Sequence, residues 1–227
     1  MKVKLISYSN VAETMPESID TIKDLVAYCA RVSNPSNQLN TETSSKLLKY
    51  LIKHKHWSPF EMVNVCMEIE TTRDIARQIL RHRSFSFQEF SQRYANPLSE
   101  ITSENDFEFR ELRMQDPTNR QNSIKPTTLG EVVLEDEWVW RQQEVLRVAR
   151  ENYLWAINKG IAKEVARALL PEGLTVSRLL MNGTLRSWIH YIELRSANGT
   201  QKEHMDIANK CGKVIAEVYG ENLFAQE

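Results

Sequence analysis

Residues 62–72 read MVNVCMEIETT, and they alternate: Val63, Val65, Met67 and Ile69 fall on one side, Asn64, Cys66, Glu68 and Glu70 on the other. A period of two is the mark of a half-buried strand. The strand runs through Thr72, a residue suited to capping, straight into RDIARQILRH, which reads as a helix over 73–82. A chain with such a join needs a sheet with one apolar face and helices to cover it.

The remaining segments extend that pattern. VKLISYS reads as a short first strand, and SIDTIKDLVAYCARVS places apolar residues at 22, 25, 26 and 29, with Ser18 and Asp20 as its predicted start. TETSSKLLKYLIKHKH reads as a second helix, followed shortly by the proline of WSPFE. After a polar, aperiodic stretch, a long helix is expected over 131–158, then a helix KEVARALLP stopped by Pro171. TVSRLLMNG reads as a strand, TLRSWIHYIELR as a helix and TQKEHMDIANKCGKVIAEVYG as a terminal helix. The expectation is α+β: a single domain over 1–227 with a mixed or antiparallel sheet flanked by helices, filled by the 41% of residues that are apolar. Residues 96–130, broken by Pro97, Pro117, Pro126 and Gly130, read as an excursion or lid able to move.

A formal charge of -1, from 29 basic and 30 acidic residues, provides no global field for nucleic acid or an anionic membrane, so any anion site must be local. Cys29, Cys66 and Cys211 are odd in number and far apart, which suggests neither a disulfide framework nor a cysteine zinc site. With no signal-like apolar run at MKVKLISYSN, the expected compartment is a reducing cytoplasm.

Against that neutral background, residues 81–94, RHRSFSFQEFSQRY, concentrate fixed positive charge. Arg73, Arg77 and Arg81 recur every four residues, as they would on one helix face, where Asp74 and neighbouring acids could solvate them. Arg83, Ser91 and Arg93 then add forked donors and a hydroxyl at a helix-to-strand junction, a set suited to phosphate.

Arg81, His82 and Arg83, then seven residues, then Ser91, stand as the complete signature of the flavin-dependent thymidylate synthases, and the chain resembles that family beyond it. HKHWSPFE resembles the family's His-x-His-x-x-Pro-Phe-Glu segment and ARQILRHR its lead-in; EFSQRY, EVARALLP and IELR follow in family order. The resemblance implies a homotetramer with sites shared between subunits. It also implies FAD as cofactor, deoxyuridine monophosphate (dUMP) as substrate, and NADPH and methylenetetrahydrofolate as co-substrates. No GxGxxG is expected, and none of the seven glycines forms one.

Carried over by resemblance, the nucleotide residues are Gln78, Arg81, Glu89, Phe90, Ser91, Gln92, Arg93, Arg167 and Arg195. The flavin residues are His56, Ser58, Arg81, His82, Arg83, Glu89, Thr184, Leu185, Arg186 and His190, with Thr184 standing where the family commonly has Asn. Arg195 is the expected catalytic group, a fixed cation favouring an ionised pyrimidine nitrogen; its bland alternative is a helix-terminal arginine neutralising carbonyls.

Other readings stay beside this one. Ser91 lacks a G-x-S-x-G elbow, which argues against a nucleophile. His54, His56, His82, His190 and His204 fit no metal-binding spacing, so no metal is expected. Trp57, Met62 and Trp188 could shape a pocket or merely pack. Phe85, Phe87, Phe90 and Tyr94 between arginines could form an RNA platform, although the chain lacks the excess charge of a general nucleic-acid binder. A family member that binds nucleotide without turnover is a further alternative.

Overall fold

The computed structural model describes residues 1–99 and 106–220. In chain order the elements are β1 (Lys2–Tyr8), α1 (Ile22–Ala30), α2 (Ser44–Lys53), β2 (Asn64–Thr72), α3 (Arg73–Ile79), β3 (Ser86–Glu89), β4 (Met114–Gln115), β5 (Ser123–Ile124), α4 (Leu129–Val132), α5 (Leu134–Asn158), α6 (Lys163–Ala166), β6 (Val176–Thr184), α7 (Leu185–Ser196) and α8 (Lys202–Tyr219). Short 3-10 turns at Pro35–Asn37, Ser58–Glu61 and Arg167–Leu169 join them.

The main sheet has the order β1-β2-β6-β3, and every pair in it is antiparallel, as expected of an α+β chain. In the register of β2 on β6, Asn64 faces Thr184 and Thr72 faces Val176. Each of these strands runs without a loop into a helix, β2 into α3 and β6 into α7, so the two joins lie at opposite ends of the pair. At the second join threonine caps the helix, the Thr184 hydroxyl accepting from Ser187 N at 3.2 Å. At the first, the expected cap does not form: the Thr72 hydroxyl donates to the Asp74 carboxylate at 2.6 Å, and Arg73 N donates instead to Thr175 O at 3.0 Å.

The expected alternation holds: Val63, Val65, Met67 and Ile69 are all buried. Helices α7 and α8 cover that face with Trp188, Ile189, Ile192, Ile207, Ala208, Cys211 and Ile215. Trp188, which sequence left between pocket and packing, is fully buried, and its indole N–H donates to Val65 O at 2.9 Å. Removing such a side chain costs about 3–5 kcal/mol. Leu98, Tyr153, Ala156 and Ala166 form a separate, smaller cluster under α5.

Several expected boundaries shift. The first helix starts after Thr21, which accepts from Asp24 N at 3.1 Å, and not at Ser18. α2 ends at Lys53, where Lys55 adopts φ 57° and turns the chain, His56 N donating to Leu51 O at 2.8 Å. α3 ends at Ile79, short of the expected 82, so Arg81 lies past the helix and does not share a face with Arg73 and Arg77. The partner of Asp74 is Arg110, whereas Arg73 and Arg77 turn to Glu172.

Residues 100–105 of the expected excursion lie outside the described residues. The part that follows is tied down. Phe107 bridges Thr175, β4 and β5 form a hairpin, and Arg110 O accepts from Trp138 and Gln142 of α5 at 2.8 and 3.0 Å.

Candidate active site

Past α3 the chain turns tightly, with His82 N donating to Ile79 O at 3.0 Å and Phe85 N to His82 O at 3.3 Å. The turn sets His82 against the last turn of α7, where Arg195 Nε donates to His82 Nε2 at 3.0 Å. Burial, then the cations of Arg195 and Arg81, push the His82 pKa down to about 4, so the ring is neutral and its Nε2 lone pair is an acceptor. Arg195 therefore has its Nε fixed, while its terminal nitrogens make no hydrogen bond or ion pair among the described residues.

Behind this pair lies a buried polar group. Tyr191 meets the His82 ring edge-on at 4.9 Å, and its hydroxyl lies 3.1 Å from His204 Nε2. His204 Nδ1 is 3.3 Å from Gln78 Oε1. Burial, with Arg195, His82 and Arg81 nearby, lowers the His204 pKa to about 3, and burial raises that of Tyr191 well above the phenol range. The structure thus brings Gln78, Arg81, His82 and Arg195 together.

A second group is built on β3 and the turn after it. Glu89 Oε1 accepts from Ser177 Oγ at 2.9 Å and lies 3.8 Å from Arg73, so this carboxylate serves the sheet. Phe90 N donates to Arg178 O at 2.8 Å, and Ser91 O accepts from Tyr94 N and Ala95 N at 3.1 and 3.0 Å. The Ser91 hydroxyl accepts weakly from Arg93 N at 3.4 Å. Arg93 Nε reaches Glu164 at 3.2 Å, and Lys163 Nζ donates to Tyr94 O at 2.7 Å, which fastens the turn to α6 and the Arg167 that follows it.

The remaining candidates gather at the 3-10 turn Ser58–Glu61 and the start of α7. His190 packs edge-on against Trp57 at 4.5 Å, and Arg186 pairs with Glu61. His56 and Ser58 are exposed. Leu185 is a core residue whose N–H donates to Val63 O at 2.8 Å, so its side chain is not free for a ligand. Thr184 uses its hydroxyl as the α7 cap.

The donor set fits a ligand bearing phosphates. Arg81, Arg83 and Arg167 make no side-chain hydrogen bond or ion pair among the described residues. Gln92 is buried with its amide nitrogen lacking any acceptor. Unmatched guanidinium and buried amide donors are what a phosphate-bearing ligand would satisfy. By contrast, Phe85 is buried against Trp188 and Tyr191 and offers no face for a base, while Phe87 is half-buried and packs on the same core. Among the described residues no group of three or more His, Cys, Asp or Glu is placed to hold a metal ion.

Residues 14–219 match the family model Thy1, described as thymidylate synthase complementing protein. The chain is 47% identical over 222 residues to a probable flavin-dependent thymidylate synthase of Paramecium bursaria Chlorella virus 1, covering 96% of this chain and 95% of that one. This chain belongs to the flavin-dependent thymidylate synthase family. A second family member, from Synechocystis, is 45% identical over 218 residues, covering 95% and 94% of the two chains. In fold, the chain is similar to a UMP/dUMP methylase PolB from Streptomyces cacaoi solved with 5-Br dUMP, with a TM-score of 0.74 at 24% identity over 96% of this chain and 90% of that one.

Sequence reasoning missed Gln201, Glu203 and Tyr191, and considered His204 only as a metal ligand. A signal was available: Glu203, Ile207, Cys211 and Ile215 recur every four residues, all buried, so a carboxylate interrupts the apolar stripe of α8.

Proposed function

We propose that this chain is a flavin-dependent thymidylate synthase that converts dUMP to dTMP by reductive methylation, with methylenetetrahydrofolate as one-carbon donor and NADPH as reductant. The observation that carries the reading is Arg195, held through Nε by a neutral His82 and leaving its other nitrogens for a substrate. When bound, FAD supplies the redox and one-carbon transfer chemistry that no side chain has.

In this reading Arg195 lies against the pyrimidine, favouring an ionised ring nitrogen and stabilising negative charge that develops on the base. Arg93, Arg167, the Ser91 hydroxyl and the backbone amides of Ser91 and Gln92 hold the nucleotide, its phosphate included, while the Phe90 N–H is held by Arg178 O and serves the turn. Gln78 and Arg81 complete the nucleotide site. Glu89 contributes by fixing β3, since its side chain is spent on Ser177 and Arg73. Arg81, His82 and Arg83, with His56, Ser58, Thr184, Arg186 and His190, are the residues for FAD. Leu185 acts only through the backbone of the α7 start.

The contacts join these residues in separate groups, which suits sites completed by another subunit. α5 supports a homotetramer, because Trp140, Val145, Val148 and Trp155 are exposed along it. The catalytic domain spans the whole chain in this reading, and the compartment is the cytoplasm; no described helix is long and apolar enough to cross a membrane.

The test is product formation. Purified protein with FAD, NADPH, methylenetetrahydrofolate and dUMP should yield dTMP, and omission of any one should stop it. A flavin-loaded protein that binds dUMP but forms no dTMP would place it among the family members that bind without turnover.

A further inference from the structure

Glu203 sits in the first turn of α8, 5% exposed, in a position no ligand contact explains. Its Oε1 accepts from Arg113 at 2.6 Å, and its Oε2 lies 3.4 Å from Arg110. The two arginines hold the carboxylate ionised although burial opposes this. Its Oε2 also accepts from the Gln201 amide nitrogen at 3.0 Å.

An ionised carboxylate only accepts, and this fixes the direction of each hydrogen bond beyond it. With its NH2 turned to Glu203, Gln201 presents its carbonyl to Gln78, whose NH2 donates at 2.8 Å. Gln78 therefore turns its carbonyl toward His204 Nδ1, 3.3 Å away, and that nitrogen must carry the proton. His204 Nε2 is left as acceptor for the Tyr191 hydroxyl at 3.1 Å. Reversing any one bond would set donor against donor or acceptor against acceptor all along the chain.

We propose that Glu203 is a positioning residue of the nucleotide site: its carboxylate sets the orientation of the Gln78 amide and the Nδ1–H tautomer of His204 through Gln201. Arg110 is also bound to Thr72 and Asp74, at 2.5 and 2.8 Å, where α3 begins. The segment carrying Arg110 and Arg113 thereby helps to aim the helix that bears Gln78. The inference rests on the proposed site in taking Gln78 as a nucleotide contact, whereas the tautomer of His204 can be read without nucleotide or turnover.

The experiment is solid-state 15N NMR of the histidine-labelled, flavin-loaded full chain, with the five histidines assigned by single substitutions. Wild type should show His204 protonated at Nδ1 alone. In Glu203→Gln the substituted amide keeps its oxygen on Arg113, the shorter contact, and offers NH2 to Gln201. Both glutamines must then flip, moving the His204 proton to Nε2 and weakening dUMP binding about tenfold with flavin retained. A wild-type His204 protonated at Nε2 or at both nitrogens overturns the inference even if the variant does not fold. So does an unchanged tautomer in the variant, or a flipped tautomer with unchanged dUMP affinity.

Discussion

Arg195 donates from Nε to Nε2 of His82 at 3.0 Å, an arrangement in which one cation is aligned by a ring that must stay uncharged. If Arg195 works on the pyrimidine, Arg195→Ala should lower turnover by about 10²–10³-fold, on the scale of losing one preorganised donor. FAD should stay largely bound, as judged by equilibrium dialysis. Loss of flavin as the main defect would assign Arg195 to the cofactor instead.

His82 and His204 predict acid sensitivity of the fold. Their pKa values are about 4 and about 3 in the folded protein, against about 6.5 in an unfolded chain. Below pH 6.5 the unfolded state takes up protons that the fold refuses, so stability present above that pH is lost as pH falls toward 4. Urea midpoints should drop between pH 7 and pH 5, a window above most carboxylate titrations. Equal midpoints at the two values would contradict the buried, neutral state of the pair.

Arg93 is held by an exposed ion pair with Glu164, of a kind worth at most about 1 kcal/mol and readily exchanged for a phosphate. Arg93→Ala should therefore weaken dUMP binding by about 1.5–3 kcal/mol, while Glu164→Gln leaves it equal or tighter. Calorimetric titration separates the outcomes, and an unchanged affinity in Arg93→Ala would remove it from the phosphate site.

Gly183 marks where β6 meets the Phe85 ring. A Cβ there would fall 2.4 Å from that ring, in a core with little room to yield. Gly183→Ala should cost about 1–3 kcal/mol of stability by displacing Phe85. A thermal midpoint equal to wild type would show that the ring moves aside freely.

What sequence could and could not convey follows from the range of the interactions. Strand β2 and the helices around it were legible because burial imprints a period on neighbouring residues, as at Val63, Val65, Met67 and Ile69. The end of α3 was not, because RDIARQILRH keeps a helix-like composition straight through the tight turn that follows Ile79. The RHR signature pointed to His82, yet nothing local showed that its partner would be Arg195, 113 positions away. Nor could local sequence show that Phe85 belongs to the core with Phe87 packed against it, since a base platform and a covered β3 face use the same residue types. The place of Glu203 in the stripe of α8 was legible, but its partners were not, because Arg110 and Arg113 lie in a segment without periodicity.

The most direct test is the absorption spectrum of the purified chain with FAD, followed by anaerobic addition of NADPH with and without dUMP. A bound flavin that bleaches at a rate responding to the nucleotide is the predicted result, since Arg81 and His82 are proposed to serve cofactor and substrate together. Absence of bound flavin at FAD concentrations of about tens of micromolar, enough to populate ordinary cofactor affinities, would contradict it.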